Sequence, residues 1–257
     1  MSVPEALGIF LAGLAAGTIN TVVGSGTLIT FPALLFFGYP PVVANVSNTV
    51  GLVAGGVTAV HGYRSELTGA GRTIRRLGPA SLLGGVIGAV LLLVLPPEAF
   101  QAIVPVLIGL GLVLVVLGPR LQRRAAARHE AGIPPASWHA AALTAGVLVA
   151  GIYGGYFGAA QGVILMGLMS ALSSEPIQRL NGYKNVLATI VNAVAAITFM
   201  LVAGGKIDWF VALLIGAGAF TGGFVGAKVG RRLPPLALRG LIIVVGVVGI
   251  VKIIWFS

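Results

Sequence analysis

Residues 13–26 read GLAAGTINTVVGSG, and residues 151–162 read GIYGGYFGAAQG. Each is an apolar stretch punctuated by glycine that runs into a small polar break, Gly24-Ser25-Gly26 in the first and Ala160-Gln161-Gly162 in the second. A short apolar stub follows each break. A polar-studded segment comes next, carrying Asn45, Ser47, Asn48 and Thr49 in the first copy and Asn181, Tyr183, Lys184 and Asn185 in the second. Asn48 and Lys184 are 136 residues apart, the spacing of the two copies. Duplicated, glycine-interrupted, short hydrophobic segments point to a transporter's substrate site.

The surrounding composition supports a membrane setting. Of 257 residues, 57% are hydrophobic and 9% charged, with a mean hydropathy of +1.04. That leaves too little polar surface to cover a soluble domain of this size. The net charge of +10 suggests nucleic acid at first sight. The basic residues, however, sit in short loops between apolar segments, as membrane insertion requires, so no nucleic-acid partner is expected. With no cysteine, disulfides, thiol catalysis and cysteine-based metal sites are excluded. No cofactor or metal is predicted. The first residues carry Glu5 and no base, which reads as a retained span rather than a cleavable leader.

Ten hydrophobic segments are legible, at 6–23, 28–37, 42–61, 78–95 and 99–118, then 140–159, 162–172, 180–203, 209–230 and 236–256. A full crossing takes about 20 helical residues at about 1.5 Å each. The second segment of each half covers about half of that, which predicts a broken or re-entrant element lining protein or a water-filled cavity. Whether segments one and two, and six and seven, cross fully or form hairpins stays open at this stage. The prediction is an all-α membrane protein of eight to ten transmembrane segments in two repeats. Residues 1–118 form the first, 119–138 a basic cytoplasmic linker, and 139–257 the second.

Positive charge sets the orientation. Arg64, Arg72, Arg75 and Arg76 mark loop 62–77, and Arg120, Arg123, Arg124 and Arg128 mark loop 119–138. Lys228, Arg231, Arg232 and Arg239 flank the last loop. All three are expected inside the cell. Pro96-Pro97-Glu98 and the turn from Gly204 to Asp208 are expected outside, with both termini external. Trp138, Trp209 and Trp255 fall at span ends, where an aromatic belt belongs. The loop between the third and fourth segments then faces in for the first half and out for the second. The repeats are predicted to be inverted about an axis in the membrane plane.

The breaks carry the functional reading. Glycines let the chain turn and expose amides, and a stub starting there presents the positive end of its dipole. Together these can bind an anion without a buried charge. The plainer alternative is a helix-packing kink. Lys184 is the one base in a predicted span that no loop explains. It is read either as a cationic substrate contact or as a side chain reaching the cytoplasmic surface. The six acids lie in loops or at span ends, so no mid-membrane carboxylate is at hand for protons or Na⁺. His61 reads as interfacial rather than catalytic. The glycines at 218, 222, 226 and 230, and at 84 and 88, read as close helix packing, within the protomer or across a dimer.

The pattern Gly13-x₃-Gly17…Gly24-Ser25-Gly26…Pro32 resembles the first-half signature of the TauE/SafE family of sulfite and sulfonate exporters. In the second half, Asn181 to Asn185, then Phe199, then Gly204-Gly-Lys-Ile-Asp208-Trp209, is similar to that family's lysine stretch and its Asp-Trp turn. The resemblance covers nearly the whole chain. Tyr183 departs from it by standing where the family commonly has Ser before the lysine, and Asn48 departs from the first-half pattern. The resemblance implies a permease of the bacterial inner membrane for sulfur-containing anions.

The resulting expectation is a secondary transporter, not an enzyme, exporting sulfite or an organosulfonate. Its site would comprise Gly24, Ser25, Gly26, Asn48, Gln161, Gly162, Lys184 and Asn185. An interior negative by 100 mV drives each exported negative charge by about 2.3 kcal/mol. An anion-selective channel, and more distantly a membrane enzyme or lipid-handling protein, are the alternatives. The expected partners are the anion and membrane lipid, with a homodimer left open.

Overall fold

The computed structural model describes residues 1–130, 138–228 and 235–256. The chain forms ten α-helices among them: α1 Val3–Val22, α2 Thr27–Phe36, α3 Pro41–Gly62, α4 Gly71–Val94, α5 Pro97–Glu130, α6 His139–Tyr156, α7 Gln161–Leu172, α8 Ile177–Ala203, α9 Trp209–Lys228 and α10 Pro235–Phe256. A short 3-10 turn, Gly204–Lys206, joins α8 to α9. The fold is all-α, and six of the described helices (α1, α3, α4, α5, α8 and α9) are long and apolar enough to cross a membrane. The ten hydrophobic segments and the ten helices correspond one to one.

Two boundaries differ from the sequence reading. The fourth helix starts at Gly71 rather than 78, taking Arg72, Arg75 and Arg76 into its first turns. The fifth continues past 118 to Glu130, so much of the expected linker is helical. Hydropathy marks where a helix meets lipid, whereas arginine and alanine are good helix formers and extend it into water. Segment 131–137, Gly230, Arg231 and Arg232 lie outside the described residues.

The polar side chains of the helices are gathered inside an otherwise apolar core, and the exterior is apolar as well. Asn45, Ser47, Asn48, Gln161, Lys184, Asn185 and several threonines are buried, while Leu7, Val57, Ile197, Leu201 and Leu213 face outward. Costly polar groups in a span are turned away from lipid.

Glycine determines which helices touch. Along α9, a Cβ on Gly218, Gly222 or Gly226 would collide with the backbone of α1 at Phe10, Leu14 and Thr18. From the other side, Gly13 and Gly17 of α1 meet Ile215 and Ala219 of α9. The same device joins α4 to α6, through Gly84, Gly88, Gly151 and Gly155. Small residues let these backbones approach closely. Both seams lie within one chain, and both join one half to the other. The element contacts exchange in the same way throughout: α1 with α9 and α6 with α4, α2 with α10 and α7 with α5, and α3 with α8.

Each short helix folds back along its predecessor. The Tyr39 hydroxyl, just past α2, donates to Glu5 in the first turn of α1 at 3.2 Å. The α1–α2 pair is therefore a hairpin. At the other hairpin, Leu168 of α7 packs on Gly146 of α6, and His139 and Leu172 line one cavity. Helix α3 fixes how the two hairpins are placed. Near its start Ser47 accepts a bond from the Asp208 amide at 2.9 Å. The turns after its end reach α8, where Arg179 donates to the Thr68 carbonyl at 3.2 Å. The α1–α2 hairpin opens at the Asp208 end, and the α6–α7 hairpin at the Arg179 end. Phe31, Phe100 and Phe157, all buried, pack edge to face at 5.0–6.3 Å and pin α2 and the second break to α5.

Candidate functional site

The tips of the two hairpins meet. Helices α1 and α6 end alike. The amides of Val23 and Gly24 both return to the Ile19 carbonyl at 2.7 and 3.2 Å, and those of Phe157 and Gly158 to the Tyr153 carbonyl at 2.9 and 3.1 Å. Gly24 (φ +90°) and Gly158 (φ +74°) hold the left-handed conformation that ends each helix. The sequence reading set Gly24-Ser25-Gly26 opposite Ala160-Gln161-Gly162. By conformation, the partner of Gly24 is Gly158, which was missed. A glycine followed by two alanines gives little local sign of a turn.

The breaks touch through backbone. Gly162 donates its amide to the Gly24 carbonyl at 3.0 Å, and a Cβ on Gly24 would lie 2.5 Å from the Gly162 Cα. Any side chain at either position would force the halves apart. The Gly26 amide is held at 3.4 Å by the Asn20 side chain. Three amides expected to face an anion, those of Gly24, Gly26 and Gly162, are thus satisfied internally. Others are open: among the described residues, the amides of Ser25, Thr27, Ala159 and Gln161 donate to no protein acceptor. Ser25 Oγ and Gln161 Nε2 are likewise buried without a partner. Unpaired buried polar groups each cost about 1–3 kcal/mol. A buried helix start with free amides calls for water or an anion.

Lys184 stands beside this junction. Its Cδ lies 3.2 Å from where a Gly24 Cβ would be, and the residue is 1% exposed. It does not reach the surface. Its ammonium donates to the carbonyls of Asn20 at 3.1 Å and Thr21 at 2.9 Å, in the last turn of α1. Asn185 Nδ2 adds a 3.4 Å bond to the same Thr21 carbonyl. A cation at a helix C-terminus is favoured by the dipole, and one of the three ammonium donors remains. No carboxylate stands within ion-pair distance of it among the described residues.

Asn48 is spent differently. It donates to Thr27 Oγ1 at 3.3 Å and accepts from Thr30 Oγ1, tying α3 to α2 within one half. Asn45 Nδ2 reaches across to the Tyr156 carbonyl, at the end of α6, at 3.0 Å. Gln161 packs back onto Gly154. Tyr183 faces the other way, accepting from Arg179 Nε at 3.0 Å.

The structure thus gathers Gly24, Ser25, Gly26, Gln161 and Gly162 at one junction, with Lys184 and Asn185 against its α1 side and Asn48 against its α2 side. The two breaks close on each other at Gly24 and Gly162. A cavity of about 150 Å³ lies beside it, lined by Val22, Val23, Val163, Met166, Asn181 and Arg239 among others. Asn181 and Arg239 were not among the predicted site residues. A pocket shared by α1, α7, α8 and α10 brings together positions far apart in sequence.

The family model for the sulfite exporter TauE/SafE matches residues 9–253. The chain belongs to the TauE/SafE family. Family relatives span almost its entire length. The "Probable membrane transporter protein YfcA" of Escherichia coli strain K12 is 27% identical over 258 residues, covering 99% of this chain and 91% of that protein. A "Probable membrane transporter protein" of Haemophilus influenzae is 26% identical, covering 96% and 93%. The "Probable membrane transporter protein ORF9" of a Sinorhizobium species is 27% identical, covering 93% and 88%. No solved structure gives a significant match. This TauE/SafE chain is a multi-pass membrane transporter.

Proposed function

We propose that this transporter exports a small sulfur-containing anion, sulfite or an organosulfonate, across a bacterial inner membrane by alternating access between two inverted repeats. The carrying observation is the junction of Gly24 and Gly162. There two hairpins opening at opposite ends meet tip to tip, with unpaired amides, the Ser25 hydroxyl and the Lys184 ammonium around them. The reciprocal exchange of helix contacts between the halves supports the inverted arrangement. The positive loops favour the cytoplasm for the Arg179 end, with both termini outside. The family description supports the sulfur anion.

In this mechanism the closed junction is the barrier. Rocking one half against the other opens the Gly24–Gly162 contact and exposes the free amides. An oxyanion then accepts from them and from the remaining Lys184 donor. The membrane potential drives the charge outward without a carboxylate for coupling. An enzyme is disfavoured, because Lys184 is held on two carbonyls and the buried Ser25 hydroxyl has no hydrogen-bond partner to serve as its base. A channel remains the second reading, since it could use the same groups.

The test is flux from proteoliposomes loaded with sulfite, methanesulfonate, phosphate or acetate. Saturable sulfite or sulfonate flux, accelerated by an inside-negative potential, supports the proposal. Non-saturating current identifies a channel, and preference for acetate or phosphate sinks the substrate assignment. Single cysteines at Arg124 and Pro97 should label from opposite sides of the membrane, and same-side labelling would refute the inversion.

A further inference from the structure

A second cavity, of about 380 Å³, opens at the Arg179 end, away from the junction. Its rim is polar, with Thr73, Arg76, His139, Ser173, Ser174 and Glu175. Its floor is apolar, with Leu77, Leu143, Met169, Leu180 and Tyr183. That floor is the buried core shared by α4, α6, α7 and α8. Arg76 makes no hydrogen bond or ion pair among the described residues, while the rim's acid, Glu175, lies 3.5 Å from Arg179.

The helix ends around the cavity reinforce this. Helices α4, α6 and α8 all begin here, and none has a side-chain cap. At the opposite end α1 is closed by a Ser2–Glu5 capping box, and the Asp208 carboxylate accepts from the amides of Phe210 and Val211 at 3.1 and 3.0 Å. At that opposite end the protein's own acids serve the starts of α1 and α9, while α3 begins uncapped after Pro40. The Arg179 end leaves three helix starts uncapped around a cavity with a spare guanidinium.

We propose that this cavity is a capture site for an oxyanion carried on a short alkyl body, of the alkanesulfonate kind. Arg76 and the rim hydroxyls take the charged head, and Leu143, Met169 and Leu180 take the body. A bare oxyanion uses only the rim and binds more weakly. The site rests on the transport reading for its purpose, and on the proposed orientation for being the cytoplasmic mouth. Its occupancy can be measured without either.

Trp138 supplies the readout, because it precedes His139 with ring centroids 4.4 Å apart. The chain has three tryptophans, so Trp209→Phe with Trp255→Phe leaves Trp138 as the reporter. Butanesulfonate titrated into that full-length protein in nanodiscs should shift its emission saturably, and methanesulfonate more weakly. Sodium chloride at equal ionic strength should have no effect. Arg76→Gln should weaken butanesulfonate about tenfold, as loss of one charge-assisted hydrogen bond implies, and Met169→Ser should erase the preference for the longer chain. In flux assays Arg76→Gln should raise the half-saturating concentration and leave the maximal rate unchanged. No emission change, equal affinity for both sulfonates, or an unaltered Arg76→Gln titration overturns the capture site. Binding without flux would retain the site and remove the transport reading. Flux without binding would do the reverse.

Discussion

Asn48 and Lys184 stand at the same distance from the starts of α3 and α8, yet they fasten different things. Asn48 joins helices of its own half through the hydroxyls of Thr27 and Thr30. Lys184 reaches from the second half onto the carbonyls that end α1 of the first. The stubs explain the divergence. Threonines on α2 offer partners to an amide, whereas Val163 and Met166 on α7 offer nothing to an ammonium. In the proposed rocking of the halves the first clamp stays intact. The second has to loosen when they separate, which in that proposal sets the charge where movement and anion meet.

Replacement of Lys184 by Met should have the largest effect. It keeps the apolar stem, strands the Asn20 carbonyl and leaves that of Thr21 with the 3.4 Å bond from Asn185 alone. Sulfite efflux should fall at least about 100-fold, from a contact worth about 3 kcal/mol. Stability in detergent should drop by about 1–3 kcal/mol for the stranded carbonyl. Parent-like flux in Lys184→Met would break the distinction between the two clamps.

Next come the helix-ending glycines. Alanine costs about 1–2 kcal/mol in the left-handed region, so Gly158→Ala should lose about that much. Gly24→Ala adds a collision with the Gly162 backbone, and its melting temperature should fall well below that of Gly158→Ala. Equal losses would mean that the tips do not press together.

Asn48→Leu should cost about 2 kcal/mol for two buried hydrogen bonds while flux stays within about tenfold of the parent. If a folded Asn48→Leu protein is inert, both positions serve the anion and the comparison needs redrawing. The smallest effect is expected from Asn185→Ala, about 0.5–1 kcal/mol in thermal unfolding, because Lys184 still holds the Thr21 carbonyl.

Helix positions were legible because lipid imposes a long apolar run on every span, and ten runs became ten helices. The short stubs were equally visible at 28–37 and 162–172. What hydropathy could not convey was direction. The Tyr39–Glu5 bond and the packing of Leu168 on Gly146 show that the stubs turn back. The site was half legible. A lysine in a span announces a buried partner, but α1 as that partner depends on a packing 163 residues away in the chain. That the Gly26 and Gly162 amides donate to Asn20 and Gly24 in this structure was hidden for a related reason, since it depends on how the chain folds back on itself.

The glycine seams have a consequence for biogenesis. The face of α1 finds its match in α9, so the opening helix leaves the ribosome long before its mate exists. Its small-residue groove has to wait in the bilayer or the insertion machinery while most of the polypeptide is made. The α4–α6 seam crosses the midpoint too, so neither repeat holds all the surfaces it must bury. Fragments ending before α9 should be degraded, and two separately expressed repeats should accumulate only when produced together.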